Sequence, residues 1–285
     1  MPHCREWRIR CANREWSSRQ VPYLQLTLKD KILLAALLLT HVDDVAGVTQ
    51  THEVGAFAPS LDSTQVFIDE LWSSGVIVLT TAPDWVTTNL RTEWIYMSEE
   101  YGWSGNVSCE SGEEKILPAS KLLHQLLDDL CSGLEASDEA TLVAMISELA
   151  EDYALAYIET QMDKQNLDLT SKSATRKVVQ SLMEELPLAD VCAIGWQAVK
   201  YCGNAYRDKI ANNRRHAANM LPGIMAKIAD TRKLKQDPWK VQRGIKTVSR
   251  IERILHDLLF EGHDTFFNLP LNRYCEEVVK PRFRQ

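Results

Sequence analysis

From Pro118 to the C-terminus the apolar residues return at intervals of three and four, a period that suits helices and little else. The spacing predicts helices over 119–131, 138–162, 173–186, 188–212, 216–231, 246–260 and 272–279. The second is the clearest. Ser137 is placed to cap it, Asp138 and Glu139 suit the positive end of its dipole, and Leu142, Met145, Ile146, Leu149, Tyr153 and Tyr157 form one stripe. Pro187 separates two helices, and Pro238 falls in a Lys-rich loop.

The first 116 residues are less regular. Residues 28–42 read as a helix with Leu33, Leu34, Leu37 and Leu38 in line, and 43–59, with Gly47, Gly55 and Pro59, as a loop. A second helix is predicted over 63–74, capped by Ser63 and stopped by Gly75. The β-branched run 76–81 reads as a strand. Another strand is expected near 94–97, inside the aromatic-rich stretch 82–116. Trp72, Trp85, Trp94 and Trp103 cluster within 32 residues and are expected to be buried where two domains join. Of the four, Trp103, between glycines in YGWSG, is the best candidate for an exposed one. The resulting plan is mainly α, with a basic N-terminal arm over 1–27, a small α+β module over 28–110 and a helical domain over 118–285. The boundary is expected between 105 and 118.

With 285 residues, 45% hydrophobic and 25% charged, the chain has the composition of a globular protein that needs no staples. Its longest apolar run, Ile32–Leu39, is far below the ~20 residues of a membrane span. The seven cysteines are scattered, with no CxxC. Together these predict a cytoplasmic chain with reduced thiols and no membrane partner.

The net charge of −7 conceals a segregation. Residues 41–160 hold 22 acidic groups against 3 basic ones, whereas 195–255 hold 14 basic against 4 acidic. Such blocks either face each other inside the fold or each face a partner. The basic block includes Arg207, Lys209, Arg214, Arg215, Lys227, Arg232, Lys233, Lys235, Arg243 and Arg250, with Tyr206 and Trp239 among them. Cations interleaved with aromatic rings are what a phosphate-backbone surface needs. On the acidic side Glu113, Glu114, Asp128 and Asp129 are the expected contacts for a basic protein partner.

Residues 60–80, SLDSTQVFIDELWSSGVIVLT, resemble the second half of a winged-helix domain: a Ser/Thr-rich helix start, apolar Val66, Phe67 and Leu71, Gly75 as the stop, then a β-branched strand. Residues 28–42 would supply the first helix. The resemblance implies a middle helix that enters the DNA major groove. This chain departs from that chemistry, because 41–90 contains no Lys or Arg and the helix carries Asp62, Asp69 and Glu70. What transfers is the fold, as a packing or protein-contact module.

No catalytic constellation is visible. In HDLLFEGHD, His256 and Glu261 stand five apart and so do not share a helical face, and the segment reads as a polar helix end. His41, Asp43 and Asp44 read as a solvated turn. No phosphate-binding glycine motif, nucleophile elbow or metal-ligand spacing occurs, so no catalytic residue, metal or cofactor is expected. Two functional expectations remain. One is a non-enzymatic interaction protein that docks a basic partner on its acidic half, as an immunity or neutralising factor does. The other is a nucleic-acid-associated regulator or accessory factor, of a mobile element or a defence system, that uses residues 200–253.

Overall fold

The computed structural model describes residues 19–39, 41–43, 47–49, 56–81, 102–109, 116–235, 248–260 and 262–283. The chain is mainly helical, and among the described residues the small sheets lie in its first part. Its contacts divide it into two units: residues 1–142 with 246–259, and 143–245 with 260–285. The division therefore falls at 142/143 rather than between 105 and 118, and a short C-terminal segment belongs to the first unit.

In the first unit, α1 (Leu28–Leu38) is the central helix. Thr27 and Asp30 form a reciprocal capping box at its start, and Ile32 to Leu38 are all buried. A helix apolar on every side has to be surrounded. On α1 pack α2 (Leu61–Ser73), α3 (Ala119–Ser132) and the helical stretch 250–259. The expected extension of α1 to residue 42 does not occur. Strand β2 (His41–Asp43) pairs with β3 (Gly47–Thr49) where a loop was expected.

Helix α2 begins earlier than its predicted cap. Ser60 caps it, and Ser63 closes the box from inside the first turn. It ends as predicted at Gly75, whose φ of 78° is left-handed and open to glycine without strain. Strand β4 (Ile77–Thr81) follows, and β5 (Gly102–Gly105) pairs antiparallel with both β4 and β3, giving the order β2-β3-β5-β4. A second, parallel pair joins β1 (Val21–Pro22) to β6 (Val107–Ser108).

Trp103, the candidate for exposure among the four tryptophans, is fully buried. It lies on β5 and meets the buried Trp72 of α2 edge to face, with ring centroids 5.6 Å apart. Glycine neighbours allow close strand contact here rather than exposure. The expected strand near 94–97, with Trp85 and Trp94, lies outside the described residues.

The second unit is built from helices. Its main elements are α4 (Glu139–Lys164, which enters the unit at Val143), α5 (Lys172–Met183), α6 (Leu188–Arg207), α7 (Arg214–Asn219) and α8 (Leu221–Lys235). Helix α6 is its core, packed against α5, α7 and α8. Helices α10 (His263–Asn268) and α11 (Leu271–Tyr274) add an aromatic cluster of Tyr153 on Phe267 and of Phe260 and Phe266 on Tyr274. Between α8 and α10 in sequence, α9 (Arg250–Glu252) and the π-helical turns Arg253–Leu259 belong to the first unit. The predicted single helix 216–231 is two, α7 and α8, with Met220 between them.

Candidate nucleic-acid interface

The site grows from the way α6 stops. The expectation ran the helix to residue 212, but it ends at Arg207 in a Schellman arrangement. The Lys209 N–H donates to Tyr206 O at 3.2 Å and the Ile210 N–H to Ala205 O at 2.9 Å. The residue that turns the chain is Lys209, with φ of 59°. Glycine normally fills that position, and an L-residue there costs roughly 1–2 kcal/mol. Asn213 then caps α7 by accepting from the His216 N–H at 2.8 Å, and the Asn212 N–H donates to His216 Nδ1 at 3.2 Å. This corner puts Arg214 and Arg215 in the first turn of α7, the end where a helix dipole disfavours cations.

Arg207, Lys209, Arg214 and Arg215 are all exposed. Arg207 donates to the Asn204 amide oxygen. Arg214 lies 5.8 Å from the centroid of the Tyr206 ring, within cation–π range. Among the described residues none of these four cations forms an ion pair. Tyr201, Tyr206 and Ile210 are exposed beside them, at 52%, 39% and 68%. Tyr201 and Ile210, with Ala205, Met220, Ile224 and Ile228, line a groove of about 630 Å³ between α6 and α8. Gln197, Asn204, Asp208, Lys227 and Thr231 supply its polar edge.

Arg232, Lys233 and Lys235 fall in the last turns of α8. Arg243, Glu113 and Glu114 lie outside the described residues. Arg250, counted in the basic block, is not on a surface. It is 1% exposed in the first unit, with its N–H donated to Ala56 O at 2.9 Å and its guanidinium 5.5 Å from the Phe57 ring centroid. Burial, helped by the nearby Arg253 charge, pulls its pKa down to about 10. Ser249 and Glu252 close a buried capping box at the start of the same helix, α9.

The expected acidic pair is also split. Asp128 is exposed and stands 3.5 Å from His124. Asp129 accepts from the Tyr23 hydroxyl at 2.8 Å and from Lys31 at 2.9 Å. Burial raises its pKa, but those two bonds outweigh it and hold the carboxyl below its ordinary value. Asp129 therefore ties α3 to α1.

The Cys202 thiol is pushed up to about 11 by burial, and the Tyr157 hydroxyl to about 12 by burial with Cys192 and Tyr153 nearby, so neither is an activated nucleophile. His256, weighed as part of a metal or catalytic cluster, is buried in the first unit. Among the described residues no three His, Cys, Asp or Glu side chains come together to hold a metal, and no helix is long and apolar enough to cross a membrane. Comparison with family models, curated proteins and solved structures gives no match.

The groove had a faint signature in the sequence. Tyr201, Asn204, Ala205 and Asp208 recur at helical spacing, yet such a stripe reads as core. Only the mixture of Tyr with Asn and Asp on that stripe hints at an open face.

Proposed function

We propose that this chain is a nucleic-acid-associated protein, a regulator or accessory factor, whose phosphate-binding surface is the corner Arg207–Arg215. The observation that carries the reading is that four exposed cations, one of them against Tyr206, form no ion pair among the described residues. A basic block satisfied inside its own unit would have lost this footprint. The residues at this corner also go against local preference: a Lys in the left-handed position and two Arg at a helix start. Such departures collect at functional sites.

The test is salt-dependent binding of generic DNA and RNA. Arg214→Ala with Arg215→Ala should weaken binding evenly across sequences and lower the salt slope by about 2, since each lost phosphate contact removes roughly 0.9. The fold should be retained, as exposed charges contribute only ~0–1 kcal/mol each. An undiminished slope would place the contact elsewhere and reject this assignment.

For residues 28–81 a winged-helix-like module remains the proposal, used for packing rather than for reading DNA. The reading is supported by the order α1, β2, β3, α2, β4 and by the exposed Asp62 and Glu70 on α2. Docking of a basic protein on the acidic half is the second functional reading. It is favoured by Asp128, whose side chain is 70% exposed. If it holds, Asp128→Lys should slow association with that partner more than it changes dissociation, and a salt-independent association rate would count against it.

A further inference from the structure

The structure assigns to the α6–α8 groove an occupant of its own: we propose that it takes an unstacked base of a single-stranded nucleic acid, whose phosphates lie on Arg207, Lys209, Arg214 and Arg215. This inference rests on the function proposed above and narrows the substrate from nucleic acid in general to the single strand.

The argument is one of adjacency. A duplex offers a protein its phosphates and the edges of its bases, while the base faces stay stacked inside. A surface built only for a duplex therefore has no use for open apolar volume next to its cations. Here the two occur together. Ile210 is the residue after Lys209 and also lines the groove, so the phosphate-facing turn is itself a wall of the apolar site. Tyr201 lines the same groove and presents half of its surface. Aromatic faces flanked by cations are the usual platform for single strands, because every base has a π-face to stack. At about 630 Å³ the groove is within the range that holds a small organic ligand. Its edge carries the amides of Gln197 and Asn204 and the carboxylate of Asp208, groups able to meet the donors and acceptors of an exposed base edge.

Charge decides against the other occupant such a groove admits, an apolar helix of a neutral protein. Residues 200–235 contain nine Lys and Arg against two Asp, so whatever enters carries negative charge. An acidic peptide shares that charge but presents it on side chains with no aromatic faces to stack, which gives the experiment its third arm.

Full-length protein should be titrated with single-stranded DNA and RNA of about 16 nucleotides, with the matching duplex, and with poly-glutamate, all at ~50 mM salt. The single strand should bind at least about tenfold more tightly than the duplex. Tyr201→Ala should reduce single-strand affinity by about tenfold and leave duplex affinity unchanged, while Tyr201→Phe should retain it. Tyr201 is exposed, so thermal melts should show the alanine variant folded. Duplex binding as tight as single-strand binding, still lost on removing Arg214 and Arg215, would overturn the groove inference and leave the proposed function standing. Poly-glutamate that binds with the same dependence on Tyr201 would overturn it in favour of an acidic protein. If neither nucleic acid binds, both proposals fall.

Discussion

Lys209 combines two properties that seldom meet in one residue, a left-handed backbone and an exposed charge at the candidate site. They can be separated by mutation. Lys209→Gly removes the steric cost of the left-handed turn, roughly 1–2 kcal/mol, and returns part of it through the larger entropy of the unfolded chain, roughly 0.5–1 kcal/mol. Denaturant titration should find the variant more stable by about 0.5–1 kcal/mol. Nucleic-acid binding should nonetheless weaken, with a salt slope smaller by about 1. A variant that gains stability and keeps full affinity would show that Lys209 touches no phosphate. Asn166, the other non-glycine residue with positive φ among the described residues, also follows the end of a helix, but Asn tolerates that conformation and implies nothing further.

Among the elements, α6 is held by how closely its neighbours approach. A Cβ on Gly195 would stand 2.7 Å from Ile158 Cγ1 on α4, a branched side chain already fixed in the core. A Cβ on Gly203 would meet the flexible side chain of Gln165, with its amide oxygen at 2.6 Å and its Cδ and Cγ at 3.3 and 3.4 Å. Gly195→Ala should therefore destabilise by about 1–3 kcal/mol. Gly203→Ala should be neutral or stabilising by up to about 1 kcal/mol, from helix propensity. Opposite signs in thermal melts would support this packing, and equal effects would refute it. These helices are the part of the fold that could be read from sequence. The stripe of α4, the start of α6 after Pro187 and the stop at Gly75 each depend on neighbours a few residues away. Features fixed by distant contacts were not legible. Arg250 is buried by Ala56 and Phe57, and β3 is completed by β5. At the candidate site the exposed cations could be read as a block, but the turn that gathers them could not, since Lys carries no signal for a left-handed position.

On the scale of the whole chain, the first unit is completed by residues 246–259, which follow the main body of the second. Ile251, Ile254, Leu255 and Leu259 are buried there, and the stretch packs on α1 and α3. Replacing those four residues by alanine would remove transfer and packing energy of about 2–5 kcal/mol each, more than a typical unit's margin of stability. The first unit should then lose protection from hydrogen exchange while the α6 core of the second keeps it. Loss of protection in both together, or in neither, would contradict the division.

That non-consecutive layout has a consequence for how the protein is made. A ribosome delivers residue 142 more than a hundred residues before residue 259, a delay on the order of 10 s at usual elongation rates. Throughout that interval α1, with seven successive residues that are buried in the finished fold, lacks one of the surfaces that cover it. The main body of the first unit thus emerges ahead of the second and cannot finish ahead of it, so during synthesis the nascent chain depends on whatever shields α1 until the last helix of its unit arrives.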